Sequence, residues 1–131
     1  MPGETILIVD DNPVNMKLIR VLLLGEGYDV RTAGDAQEAL TVLKELHPRL
    51  ILMDIQLPDI DGLELTRRLK ADPATKDVSI LGLTAYAMKG DEERILAAGC
   101  DGYISKPIDT RTLPSLVQHY LEKSAAIKTL G

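Results

Sequence analysis

Runs of strand length alternate with helical segments along the whole chain. Thr5–Val9 (TILIV), Asp29–Ala33 (DVRTA), Leu50–Met53 (LILM), Ser79–Leu83 (SILGL) and Gly102–Ser105 (GYIS) each carry the β-branched or aliphatic content of a strand. The first, third and fourth are almost continuously apolar, as central strands covered on both faces must be, whereas DVRTA alternates and belongs nearer an edge. Strands that always regain their partners through a helix are paired in parallel, with the helices on both faces. The expected fold is therefore α/β, a single doubly wound (βα)5 domain.

The intervening helices have legible ends. Asn12 followed by Pro13 reads as an N-cap with proline at the first helical position, and Val14, Leu18, Val21 and Leu22 then form an apolar stripe up to Gly25. Asp35 with Glu38, and Asp61 with Glu64, resemble capping boxes. Ala39, Leu40, Leu43 and Leu46 follow the first, until Pro48; Leu65 and Leu69 follow the second, until Asp72–Pro73. Asp91–Ala98 is a short helix with an acidic first turn, ending at Gly99. The last helix begins after Asp109 and carries Leu113, Leu116, Val117, Tyr120 and Leu121, with Pro114 confined to its first turn. Residues 4–122 are expected to form the domain and 123–131 a patternless tail or linker.

Composition removes several functions. A chain of 131 residues can bury a full core in one domain, and with four Tyr but no Phe or Trp that core must be aliphatic. Fifteen Lys plus Arg against 20 Asp plus Glu give a net charge of −5, which disfavours attraction to nucleic acid or anionic lipid. Cys100 has no second Cys or His nearby and reads as a small buried side chain. No leader and no membrane-length apolar run is visible, so a cytoplasmic location is expected.

In a parallel sheet of this kind, ligands bind beyond the carboxyl ends of the strands. There the sequence places Asp10 and Asp11 after the first strand, Asp54 after the third, Thr84 after the fourth and Lys106–Pro107 after the fifth. Any one of these could cap a helix or solvate a loop, but independent accidents would not put all of them at strand ends. Clustered carboxylates repel unless a cation lies between them, and hard oxygen ligands suit Mg²⁺, which leaves room for phosphate oxygens. A carboxylate so placed can attack phosphorus, with the metal, a lysine and a threonine hydroxyl balancing the three phosphoryl oxygens.

ILIVDDNPVN, LILMDIQLPDIDGLEL, LGLTAYAMKGDEER and AGCDGYISKPI, in this order and spacing, resemble the receiver domains of two-component response regulators. TAYAMKGDEER with GCDGYISKPI is similar to stand-alone cell-cycle regulators of the DivK type and to receiver modules of hybrid histidine kinases. The resemblance implies a flavodoxin-like sheet of order 2-1-3-4-5, with Asp54 accepting a phosphoryl group from a phosphohistidine on a sensor histidine kinase or histidine phosphotransfer protein. It further implies Mg²⁺ bound by Asp11, Asp54 and the backbone carbonyl of Gln56, with Asp10 acting through water. Lys106 would contact the phosphoryl oxygens, Thr84 would move toward them, and Tyr103 would rotate inward, altering the surface offered to a downstream target. By the same resemblance Lys106–Pro107 is cis, the small Ala85 leaves access for a donor, and Gln56 and Tyr86 tune dephosphorylation. His47 and His119 are assigned no chemistry.

Other readings fit less well. A phosphohydrolase of the haloacid dehalogenase type needs a second Asp two residues after its nucleophile, where this chain has Gln56. An FMN-binding flavodoxin needs a Ser, Thr or Gly-rich phosphate cradle in place of the acidic DDNPVN. A docking module that is never phosphorylated shares the motifs. Met1 reads as a natural start and no output domain follows the fifth helix, so the chain is expected to act by docking on a partner, or to be a receiver excised from a hybrid kinase.

Overall fold

The computed structural model describes residues 3–85 and 89–130. Its elements follow strictly in turn: β1 (Thr5–Val9), α1 (Pro13–Gly25), β2 (Asp29–Ala33), α2 (Ala36–Glu45), β3 (Leu50–Asp54), α3 (Gly62–Ala71), β4 (Ser79–Thr84), α4 (Lys89–Ala97), β5 (Gly102–Ser105) and α5 (Leu113–Leu130). All strand pairs are parallel, in the order β2-β1-β3-β4-β5. The continuously apolar β1, β3 and β4 are internal and the alternating β2 is an edge, as their patterns require. The order reverses between β1 and β3, which opens a crevice at their carboxyl ends.

The sheet divides two aliphatic layers. On one face Leu7, Val9, Ile51, Met53 and Ile80 pack against α2, α3 and α4 through Ala39, Leu43, Leu65, Leu69 and Ile95. On the other, Ile6, Ile8, Leu50, Leu52, Leu81 and Leu83 meet α1 and α5 through Ile19, Leu23, Leu113, Val117 and Leu121. Because both faces are covered, every side chain of β3 and β4 is buried regardless of its parity.

Helix caps form where the sequence places them. The Asn12 side chain accepts from the Val14 and Asn15 amides, Asp35 from Glu38, and Asp61 from Leu63. At the far end of α4, Gly99 takes φ +111°, a conformation that favours glycine. Near the amino ends of β4 and β5, Lys70 Nζ donates to the Val78 carbonyl at 2.7 Å and to Asp101 Oδ2 at 3.0 Å, while the latter also accepts the Ile80 amide at 2.8 Å.

Two expectations differ from the structure. In α1, Val14, Leu18 and Val21 are exposed, and the helix packs through Ile19 and Leu23, with Met16 and Leu22 partly buried. This helix is apolar on more than one side, and Met16, Ile19 and Leu23 satisfy helical spacing as well as Val14, Leu18 and Val21 do, so spacing alone does not select the inner face. In addition, α5 runs on to Leu130, through the segment expected to be a tail. Serine, alanine and lysine in Ser124–Leu130 are compatible with helix even where no apolar stripe marks one.

Candidate functional site

The register of the sheet brings the chemical residues together. Val9 lies opposite Met53, Asp54 opposite Leu83, and Thr84 opposite Ser105, so the chain leaves β1, β3, β4 and β5 at nearly one level. Asp10, Asp11 and Asp54 each bring a carboxylate oxygen within 4.8 Å of the others. Lys106 Nζ lies 3.1 Å from Asp54 Oδ2 and 3.6 Å from Asp10 Oδ2. Four of the residues singled out from sequence thus share one cleft.

Their surroundings differ. Asp10 is fully buried; its Oδ1 accepts the Asn12 amide at 2.8 Å, which ties the loop after β1 to the strand end. Its Oδ2 has no hydrogen-bond partner among the described residues beyond the longer ion pair with Lys106. Burial raises the Asp10 carboxyl to about 6, reinforced by the charge of Asp54 and opposed by the Asn12 amide and Lys106. Asp11 is exposed at the mouth. Asp54 is buried, with Oδ1 accepting the Gln56 amide at 2.9 Å.

This donor set fits a hard divalent cation. Only oxygen ligands are offered, one carboxylate is open to solvent, and a buried carboxylate oxygen has an unused lone pair.

The remaining expected residues lie around this cluster. Thr84 is buried at the end of β4, and its carbonyl accepts the Lys106 amide at 2.7 Å. Ala85 beside it is exposed, and the Lys106–Pro107 bond is cis. Tyr103 stands apart from the carboxylates: it is half-buried against the α3–α4 side of the core, and its hydroxyl donates to Glu92 of α4. Tyr86 lies outside the described residues. His119 of α5 packs edge-on against Tyr120, and His47, just past α2, is exposed; neither belongs to the carboxylate cluster. Cys100 is buried beside Thr66, and burial pushes its thiol up.

One important residue escaped sequence reading. A Cβ on Gly62 would lie 2.1 Å from the Asp54 carbonyl oxygen and 2.7 Å from Ile55 Cα, and the Gly62 amide donates to the Ile55 carbonyl at 3.0 Å. The start of α3 therefore presses against the backbone of the central carboxylate. The only local hint was the Asp-Gly pair at the helix start; the contact itself spans the intervening loop.

A (βα)5 sheet with an acidic cleft and a lysine at its strand ends is the frame of a signalling receiver module: the profile of the response regulator receiver domain matches residues 6–118, so the chain belongs to that family, a component of two-component signalling. Among curated relatives it is similar to the polar-differentiation response regulator DivK of Brucella ovis, 47% identical over 118 residues that cover 90% of this chain and 96% of that protein. Among solved structures, the receiver domain of a sensor histidine kinase from Pseudomonas aeruginosa is 37% identical, with a TM-score of 0.83 over 92% of this chain and 98% of that one; it holds a magnesium ion in its active-site cleft. The chemotaxis response regulator CheY4 of Vibrio cholerae is 27% identical, with a TM-score of 0.85 over 90% and 98% of the two chains. Members of this family are signalling proteins that bind Mg²⁺ in the active site and interact with histidine kinases and downstream targets. No described helix is long and apolar enough to cross a membrane.

Proposed function

We propose that this chain is a phosphoacceptor of a two-component phosphorelay, cytoplasmic, with Asp54 as the residue modified and 4–122 as the working domain. The observation that carries this reading is the convergence of Asp10, Asp11 and Asp54 within 4.8 Å, with Lys106 3.1 Å from Asp54. An Asp54 carboxylate oxygen attacks the phosphorus of a phosphohistidine; the O–P bond forms as the N–P bond breaks, and the imidazole nitrogen leaves with the electron pair. Asp11, Asp54 and the Gln56 carbonyl would hold Mg²⁺, with Asp10 acting through water, and the ion supplies positive charge to the phosphoryl oxygens. Lys106 balances a further oxygen, and the Thr84 hydroxyl donates to another once the phosphoryl group is in place.

That last bond draws in the chain after β4, and Tyr103 turns inward to follow it. The hydroxyl bond from Tyr103 to Glu92 supports a route from β5 to α4, so that the outer face of α4, β5 and α5 becomes the signal read by a downstream protein. The donor is a sensor histidine kinase or a histidine phosphotransfer protein. A surface for it is at hand: Pro13, Val14, Leu18 and Val21 form an exposed apolar strip that begins next to Asp11. The protein accepts phosphate on itself and turns over no separate substrate.

Mg²⁺ is expected to raise the melting temperature, since a ligand of the native state alone stabilises by about 2.7 kcal/mol at a hundredfold excess over its dissociation constant. Asp11→Ala is expected to lose most of that gain. A melting curve of the wild type that Mg²⁺ leaves unmoved would overturn the site.

A further inference from the structure

The loop between β3 and α3 carries a carboxylate that takes no part in the cluster. Asp59 Oδ1 accepts the backbone amides of Ala36 and Ile60, each at 3.0 Å, and Oδ2 accepts that of Gln37 at 3.0 Å. Ala36 and Gln37 open α2, 23 and 22 residues earlier in the chain. The next amide of that helix, Glu38, is already satisfied by Asp35 at 2.7 Å. One helix end is thus capped twice, once by its own N-cap and once from a distant loop. These amide donors also hold the Asp59 carboxyl below the ordinary range, so it stays ionised toward the positive end of the α2 dipole.

A helix already capped locally gains only an increment from a second cap, whereas the loop gains its outer anchor. At its base the loop is closed by the Gly62 amide on the Ile55 carbonyl and by the Gln56–Asp61 bridge. At its crest Asp59 ties it to α2, the element entered directly from β2, whose terminal Ala33 carbonyl accepts the Asp10 amide at 3.1 Å. Gln56, itself one side of the basal bridge, has its amide turned onto Asp54 Oδ1, and its chain runs on from there toward the crest. With the amide fixed and the loop held at both ends, the direction of the neighbouring backbone carbonyl has little freedom.

We propose that Asp59 is a positioning residue for the cation site: by fastening the β3–α3 loop to the start of α2 it aims the Gln56 backbone, and so sets Mg²⁺ affinity without touching the ion. This rests on the reading that the acidic cleft takes Mg²⁺. Groups that orient a ligand from behind typically change metal affinity by tenfold or more when removed.

Mg²⁺ would be titrated calorimetrically into the wild type, Asp59→Ala, Asp59→Asn and Asp35→Ala. The last removes the other cap of the same helix and leaves the loop untouched, so it reports what a weaker α2 does by itself. Asp59→Ala is expected to weaken Mg²⁺ binding about tenfold, while Asp35→Ala stays within about twofold of the wild type although both lower the melting temperature. Asp59→Asn keeps an acceptor for one amide but sets its NH₂ against another, and should fall between; it also serves if the alanine variant does not fold. Equal Mg²⁺ affinity in Asp59 variants and wild type, or equal losses in Asp59→Ala and Asp35→Ala, would overturn the proposal and leave the cleft's function standing. A wild type that binds no Mg²⁺ would overturn the cation site itself and this inference with it.

Discussion

Gly62→Ala is expected to cost about 3 kcal/mol of stability, the upper range for forcing atoms into a packed site. The added Cβ would stand 2.1 Å from the Asp54 carbonyl oxygen and 3.0 Å from its carbon, with Ile55 Cα at 2.7 Å. None of these is the movable end of a side chain; all are backbone at the end of β3. Gly62 is not among the glycines with positive φ, so the penalty comes from close approach and not from conformational freedom. To make room, either α3 must lift from the sheet or the Asp54 backbone must move, and the second would also displace the carboxylate from Lys106. Denaturant unfolding gives the stability change and a Mg²⁺ titration the state of the site. A variant within about 0.5 kcal/mol of the wild type, the usual span of harmless surface changes, would show that the close contact is not obligatory.

Asp10→Asn is expected to stabilise the metal-free protein at neutral pH, although it removes a carboxylate from the site. Burial raises the Asp10 carboxyl in the folded chain from the ordinary 3.8 to about 6. Because the folded pKa is the higher one, the unfolded chain releases its proton first as pH rises. Stability is therefore lost progressively between those two values, and the loss is complete above the upper one. Two pKa units correspond to about 3 kcal/mol, of which about 2 kcal/mol should be recoverable because Lys106 loses a counter-charge in the same change. Asparagine keeps an oxygen for the Asn12 amide. Without Mg²⁺ the variant should exceed the wild type at pH 7.5 and converge with it near pH 4, and saturating Mg²⁺ should narrow the gap at pH 7.5. A variant less stable than the wild type at pH 7.5 without metal, or an advantage independent of pH, would contradict this account of Asp10.

Local physics explains which features could be read from the sequence. The caps at Asn12, Asp35 and Asp61 satisfy amides within three residues, so each helix start carries its own signal. The internal strands are marked by continuous apolar runs, and the chemical residues by falling at strand ends, which alternation alone makes coincident in space. What was illegible acts at a distance. Asp59 bonds a helix more than twenty residues away, and Gly62 meets the Asp54 backbone across a loop; neither partner can be inferred without the register of the sheet. The α1 face was misread for a different reason: two candidate stripes both satisfy helical spacing, and only the packing of the helix into the core beside β1 shows that Ile19 and Leu23 turn inward.

That Asp54 accepts a phosphoryl group is tested most directly by intact mass after incubation with Mg²⁺ and a small acyl-phosphate. The wild type should gain the mass of one PO₃H group, while Asp54→Asn, with or without Mg²⁺, and wild type stripped of Mg²⁺ should gain none. An adduct that persists in Asp54→Asn, or none in the wild type with Mg²⁺ present, would contradict the assignment.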